Sequence, residues 1–115
     1  MYGLIGKMQV MAGRRDELAA ILLGGVSGMP GCLSYVVSED ASDPDALWVT
    51  EAWVSEDAHR ASLDLPSVRE AIARGRPLSA DFGERFVTRP LGGHGLVSLD
   101  GGEHGASRST EERGT

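Results

Sequence analysis

The most constraining feature of this 115-residue sequence is residues 46–63, ALWVTEAWVSEDAHRASL, where a strand pattern runs directly into a helix pattern. Period-two alternation places four of its side chains on one face of a strand, namely Leu47, Val49, Glu51 and Trp53. Ser55 is a good N-cap, and the acidic residues after it suit the positive end of a helix dipole. The stretch therefore predicts a tight strand-to-helix turn between Trp53 and His59, which would form a natural wall for a pocket.

The rest of the chain completes a regular order of elements, punctuated by Gly and Pro at the turns. The patterns predict strands at residues 2–11, 32–39, 46–54 and 82–89, and helices at residues 14–26, 56–64 and 67–74. This order predicts an α+β, ferredoxin-like βαββαβ fold, with an antiparallel sheet covered by helices on one face. The other face is too apolar to stay solvated, so we expect two copies to pack their sheets together as a homodimer.

The alternation of the last predicted strand, FGERFVTR at residues 82–89, predicts which of its side chains face inward. Simple alternation places Phe82, Glu84, Phe86 and Thr88 on one face. Glu84 and Arg85 then point in opposite directions, and one of them points inward. An inward Arg85 would stabilise a developing negative charge such as a phenolate or superoxide.

Composition divides the chain into a domain and a tail. Residues 1–96 hold all the periodic patterns, so we predict one folded domain there. Residues 97–115 are rich in Gly, Ser and charge and poor in large apolar side chains, so we predict a disordered tail.

Charge and cysteine content exclude several classes of function. A net charge of −6 and a pI near 4.9 argue against a nucleic-acid or anionic-membrane partner, because both need a basic surface. No apolar run is long enough for a membrane span, and no signal-peptide pattern is present. The lone Cys32 forms no intrachain disulfide and offers no cysteine cluster for a metal. We expect a soluble cytoplasmic protein without a metal site.

Three sequence segments resemble the antibiotic biosynthesis monooxygenase family, in particular its small stand-alone quinol monooxygenase type. They are MPGCLSYVV at residues 29–37, WVTEAW followed by SEDAH from residue 48, and GERFVTRPLGGHGL at residues 83–96. The resemblance covers residues 2–96 and implies a dimeric α/β barrel, in which two ferredoxin-like units close their sheets around each other. Members of known activity oxidise phenolic or quinol-type aromatics with molecular oxygen and use no metal, haem or flavin.

The resemblance therefore implies a cofactor-independent monooxygenase with a small aromatic substrate and molecular oxygen. Among the family's ligand-contacting positions, Trp53 resembles the tryptophan and His59 falls near a tyrosine, while Val49 stands where the family has an asparagine. The haem-degrading branch needs an asparagine on the first strand and a ligating histidine on a later helix. Gly6 and Ile72 stand near those positions here, which argues against haem degradation.

Five residues are the candidates for the site. His59 is the candidate catalytic base, because a histidine side chain accepts a proton near neutral pH. We expect Trp53 to pack against the aromatic ring of the substrate, and Ser62, Tyr35 and Arg85 to provide hydrogen bonds or charge to it.

Four of these candidates also have a structural alternative. His59 could lie on the helix surface, paired with Glu56 or with solvent, and Trp53 could be an ordinary core residue. Tyr35 could be half-buried at a strand edge, and Arg85 could belong to an ion pair between subunits. Two other functions stay open as well: a non-catalytic small-ligand-binding dimeric module, and an isomerase or cyclase acting on a similar aromatic.

Overall fold

The computed structural model describes residues 1–96; the predicted tail at residues 97–115 lies outside the described residues. The elements, in chain order, are β1 (Tyr2–Val10), α1 (Arg15–Gly25), β2 (Cys32–Glu39), β3 (Ala46–Trp53), α2 (Glu56–Ser62), α3 (Pro66–Gly75), a 3-10 turn (Arg76–Leu78) and β4 (Ser79–Thr88). This is the predicted βαββαβ order, with the second helical segment divided into α2 and α3.

The four strands form one sheet in the order β2-β3-β1-β4, and each neighbouring pair is antiparallel. β1 and β3 occupy the centre, with Tyr2 opposite Trp53 and Met8 opposite Leu47. The strand order and the element order together give the ferredoxin-like fold, which confirms the prediction.

The core lies between one face of this sheet and the helices α1 and α3. Its buried cluster consists of Val10, Leu18, Ile21, Leu47, Ala71 and Leu78. Leu18 and Leu47 are completely buried, and each such side chain contributes about 1.5–3 kcal/mol relative to exposure. The two helices approach closely at Gly25, where a Cβ atom would lie 2.6 Å from the Ala71 Cβ.

The turn between β3 and α2 forms for the reasons that the sequence indicated. Ser55 has extended backbone angles, and its side chain accepts a hydrogen bond from the Ala58 N–H at 3.1 Å. α2 then ends at Ser62, two residues earlier than predicted, because Pro66 begins α3. The Ser55 cap therefore begins the short α2 directly after the end of β3, and Pro66 limits its length.

The last strand begins earlier than predicted. Pro77 lies in the 3-10 turn after α3, and the chain then enters β4 at Ser79. The Met11 N–H donates to the Leu78 carbonyl at 2.8 Å, which continues the pairing with the end of β1. The sequence pattern missed these residues because they have no alternation of their own.

The predicted faces of β4 are wrong. Phe82 lies opposite Met8, whereas Phe86 lies opposite Ile5. Met8 and Ile5 are three residues apart on β1 and therefore face opposite sides of the sheet. The pairing shifts between Gly6 and Met8, and this irregularity places Phe82 on the helix-covered face while Phe86 stays on the other.

The face without helices combines one polar cluster with exposed apolar side chains. Trp48 donates its indole N–H to Asp40 at 2.8 Å, and the Lys7 ammonium lies 5.8 Å from the centre of the Trp48 ring. Val36 and Phe86 are 50% and 49% exposed. Among the helices of residues 1–96, none is both long and apolar enough to cross a membrane.

Candidate functional site

A cavity of about 270 Å³ lies on the helix-covered face of the sheet, next to α1 and α2. Its apolar wall is formed mainly by Leu4, Met8, Leu22 and Val49. Its polar groups include Tyr35, Glu51, His59 and Arg85. The volume is near the lower end of the range for small-molecule sites, about 300–1,000 Å³, and the mixed apolar and polar lining is typical of them.

His59 lies on α2, one turn after the Ser55 cap, and its ring points back toward the end of β3. The ring contacts Tyr2 at a centroid distance of 5.6 Å and meets Trp53 edge-on at 5.4 Å. Its side chain is 14% exposed. Glu56 pairs with Arg60 instead, so the alternative of a surface histidine paired with Glu56 is wrong.

Glu51 is the carboxylate nearest to His59 among the described residues. It projects from β3 on the helix-covered face, with 15% of its side chain exposed. Its Oε1 accepts a hydrogen bond from the Trp53 indole at 2.9 Å and lies 3.9 Å from the Nε2 of His59. The second distance is too long for a direct hydrogen bond, but a small movement or a ligand atom would join the two groups.

Trp53 is completely buried and presents no surface to the cavity. Trp53 supports the site from the core, because its indole N–H donates a hydrogen bond to Glu51 and its ring packs against His59. Its predicted contact with the substrate is not visible in this arrangement; the contacts present instead fix the orientation of the two polar side chains.

Tyr35 lines the cavity from β2, directly across from Glu51. Burial of the phenol raises the pKa of Tyr35 well above its usual value, and the negative charge of Glu51 raises it further. Burial, followed by the charge of Glu51, also raises the pKa of the Cys32 thiol. Tyr35 is therefore a neutral hydroxyl at ordinary pH, able to donate a hydrogen bond to a ligand.

Arg85 and Phe82 form the more open side of the cavity on β4. Phe82 is 70% exposed. Within residues 1–96, no carboxylate oxygen lies within 4.0 Å of the Arg85 guanidinium. Arg85 thus supplies a positive charge on the side of the cavity away from Glu51 and His59.

Ser62 is not brought to this cavity. Its hydroxyl donates to the His59 carbonyl at 2.6 Å, and the residue is 4% exposed. It lines a separate apolar cavity of about 250 Å³ beside Pro30 and Leu65. The structure therefore gathers His59, Tyr35 and Arg85 around the cavity on the helix-covered face, with Trp53 packed beneath them and Ser62 outside it.

Glu51 and Tyr2 are the contacting residues that sequence reasoning did not select. A signal for Glu51 was present: it is the one acidic residue on the predicted inward face of β3, two positions before Trp53. Tyr2 carried no comparable signal, because its contact with His59 depends on the pairing of β1 with β3.

A second cavity of about 270 Å³ lies between α1 and α3, lined by small residues together with Glu17, Glu70 and Arg74. Its described lining residues include no histidine, tyrosine or buried carboxylate, so we place the site at the cavity lined by His59 and Glu51. Within the described part of the chain, no group of three or more His, Cys, Asp or Glu side chains is arranged to hold a metal ion.

Comparison with known proteins agrees with the geometry. The sequence profile of the family described as "Antibiotic biosynthesis monooxygenase" matches residues 1–74. A solved structure from Chloroflexus aurantiacus J-10-fl that carries this family's name is 60% identical and superposes with a TM-score of 0.82, covering 84% of this chain and 98% of that one.

More distant structures share the same architecture. A protein of Deinococcus radiodurans with the same family name is 26% identical, with a TM-score of 0.68 and coverage of 85% of this chain and 100% of that one. One from Nitrosomonas europaea is 15% identical, with a TM-score of 0.72 and coverage of 79% and 99%; at that identity the likeness shows the fold alone. No curated protein matches the chain.

Proposed function

Because this chain belongs to the antibiotic biosynthesis monooxygenase family, we propose that it is a cofactor-independent monooxygenase that oxidises a phenolic or quinol-type aromatic with molecular oxygen. The observation that carries the proposal is that His59 lies 3.9 Å from Glu51 beside a cavity with an apolar wall. Such a cavity can hold an aromatic ring while a basic pair takes the proton from its hydroxyl group.

In the first step, His59 accepts the hydroxyl proton of the substrate. The carboxylate of Glu51 stabilises the resulting imidazolium, and the low exposure of both side chains strengthens this attraction. Trp53 keeps the carboxylate in place through its indole N–H. The deprotonated substrate is electron-rich and can itself reduce dioxygen.

In the second step, dioxygen adds to a ring carbon that carries hydrogen. The O–O bond then breaks, so that one oxygen atom remains on the ring as a carbonyl and the other leaves as water. A phenol thus becomes a quinone, and a quinol becomes a hydroxyquinone; the substrate supplies all four electrons. Protonated His59 returns a proton to the departing oxygen, and Tyr35 and Arg85 stabilise negative charge on the substrate oxygens.

Oxygen consumption tests this proposal. Chelator-treated protein would be supplied with hydroquinones, naphthoquinols and polycyclic phenols, with autoxidation measured without protein. We expect uptake above autoxidation with at least one compound, and its loss in His59→Ala because general-base catalysis contributes about 10²–10⁴-fold. His94→Ala is the matched control, since His94 is an exposed histidine away from the cavity.

The outcomes separate the functional classes. Full turnover in His59→Ala would remove His59 from the mechanism. Binding of an aromatic compound without oxygen uptake would contradict the oxygenase and favour a binding module. Conversion of the compound to an isomer without oxygen uptake would favour an isomerase or cyclase at the same cavity.

We also propose that the protein works as a homodimer through the sheet face that has no helices. Val36 and Phe86 are half exposed on that face, and a second copy would bury them. Phe86→Glu should therefore give monomers in analytical ultracentrifugation. Leu23→Glu, at an exposed position on α1, is the matched control and should not change the mass. A wild-type protein that sediments as a monomer would overturn this part of the proposal.

A further inference from the structure

Gly6 lies in the floor of the cavity, at the middle of the central strand β1. It is opposite Val49 of β3 on one side and Arg85 of β4 on the other. Residues opposite one another in an antiparallel sheet face the same side, so all three belong to one row of the cavity floor. Gly6 is the member of this row without a side chain.

Neither backbone geometry nor packing requires glycine at this position. Gly6 is not among the glycines with positive φ in the described chain. Among residues 1–96, the nearest atom to a Cβ built on Gly6 would be the Glu84 carbonyl oxygen at 4.0 Å, which is ordinary contact. Gly3 on the same strand differs, because a Cβ atom there would collide with the Thr88 hydroxyl.

Glycine inside a strand weakens the strand, and it often marks a place where a ligand approaches the backbone closely. At Gly6 the missing side chain leaves space directly above the peptide groups of β1. A flat ring can lie on this bare backbone, between the apolar side chains of Leu4 and Met8.

The polar groups of the cavity lie at its two sides. Glu51 is two strands from Arg85 and two residues further along, which places their backbones about 10 Å apart across the sheet and about 7 Å along it, or about 12 Å in all. Glu51 and His59 accept a proton at one side, whereas Arg85 offers a positive charge without a carboxylate partner among the described residues.

We infer that Gly6 is a specificity-determining residue, which admits a flat two-ring phenol with its hydroxyl group at Glu51 and His59 and an anionic substituent at Arg85. The inference rests on the proposed aromatic site and names the class of molecule that the site takes. Arg85 is suited to this because its planar guanidinium binds a carboxylate through two parallel hydrogen bonds.

Two matched probes test the inference by binding alone. 2-Naphthol and 6-hydroxy-2-naphthoic acid share the two rings and the hydroxyl group, and only the second carries a carboxylate at the opposite end. Isothermal titration calorimetry would measure the affinity of each. We expect the acid to bind about tenfold more tightly to the wild-type protein, because a hydrogen bond to a charged group contributes at least that much.

Two variants address the two residues separately. Arg85→Gln should remove the preference for the acid, so that the variant binds the two probes with equal affinity. Gly6→Val should weaken the binding of both probes at least about tenfold, although valine suits a strand better and should not lower the melting temperature. Gly24→Ala is the control and should leave binding unchanged, because Gly24 is exposed on α1 and a Cβ atom there would lie more than 4 Å from every described residue outside its own helix.

Equal affinity of the wild type for the two probes would overturn the role of Arg85, and unchanged binding in Gly6→Val would overturn that of Gly6. Failure of both probes to bind would overturn the inference together with the aromatic site. If the probes and variants bind as expected but no quinol causes oxygen uptake, the inference stands and the proposed oxygenase activity is contradicted.

Discussion

The two tryptophans of β3 make the same contact in two very different places. Trp48 donates its indole N–H to Asp40 at 2.8 Å, and Trp53 donates to Glu51 at 2.9 Å. The odd spacing of five residues places them on opposite faces of the sheet. The two carboxylates differ in how many other hydrogen bonds they accept from the protein.

The Asp40 carboxylate is fully occupied. Besides Trp48, it accepts the backbone N–H groups of Ser42 and Asp43 at 2.8 and 2.9 Å, and the Lys7 ammonium lies 3.9 Å away. The Trp48 hydrogen bond, followed by the two backbone N–H groups, lowers the pKa of Asp40 from its ordinary 3.8 to about 2. This carboxylate holds the loop between β2 and β3 closed.

The Glu51 carboxylate accepts one hydrogen bond from the protein, that of Trp53, within the described chain. Its other neighbours are His59 and Tyr35, and all three side chains line the cavity. A carboxylate whose hydrogen-bonding capacity is filled stabilises the fold, whereas one that keeps free lone pairs beside a cavity can act on a ligand.

Turnover should separate the two carboxylates most strongly. Glu51→Gln keeps an oxygen for the Trp53 hydrogen bond but removes the charge that stabilises protonated His59. We expect kcat to fall about 10²–10³-fold, as for loss of acid–base assistance. The matched Asp40→Asn variant should keep its turnover, as measured by oxygen uptake. Similar losses in the two variants would contradict the difference in their roles.

Stability should separate the two tryptophans next. Trp53 is completely buried, so Trp53→Ala should lower the free energy of unfolding by about 3–5 kcal/mol. Trp48 is only partly buried, and Trp48→Ala should cost about 1 kcal/mol. Urea denaturation followed by circular dichroism measures both. A smaller loss for Trp53→Ala than for Trp48→Ala would show that the burial difference does not govern stability.

The ionisation of Tyr35 reports on the charge of Glu51. Burial is the larger cause of its raised pKa and Glu51 the second, so Glu51→Gln should lower the pKa of Tyr35 while leaving it above the ordinary value. Tyrosinate absorbance measures this in a Tyr2→Phe background, because the chain has two tyrosines. Asp40→Asn should give no shift, and a shift of equal size there would count against a local effect of Glu51.

The smallest effect is the acid dependence of stability. Because folding lowers the pKa of Asp40, its contribution is complete above about pH 4 and is lost as the pH falls through about 2. The stability difference between wild type and Asp40→Asn should therefore be constant near neutrality and shrink toward pH 2. Thermal melts across this range measure the difference, and a gap that persists at pH 2 would contradict the sign.

Much of the fold could be predicted from local signals. Ser55 caps α2, Pro66 begins α3, and the alternation of β3 places its residues on the correct faces. The faces of β4 could not be predicted, because the shift in pairing opposite Gly6 and Met8 arises from how two strands fit together.

The site was predictable in part for the same reason. His59 could be selected from the sequence because it is a titratable residue that directly follows a predicted strand–helix turn. The separation of Ser62 from the cavity depends on its hydroxyl bonding the backbone of its own helix, which spacing alone does not reveal. The inward face of Glu51 could be predicted from the alternation of β3, but its position next to the His59 ring depends on how α2 packs over the end of β3.

The most direct test of the central claim, that Glu51 and His59 act as one unit, is a double-mutant cycle. The values of kcat/KM would be measured for the wild type, Glu51→Gln, His59→Ala and the double variant. If the two residues act together, the double variant should be no slower than His59→Ala, because removing either residue already disables the pair. Losses that multiply in the double variant would show that the residues act independently, and would contradict the proposed proton transfer.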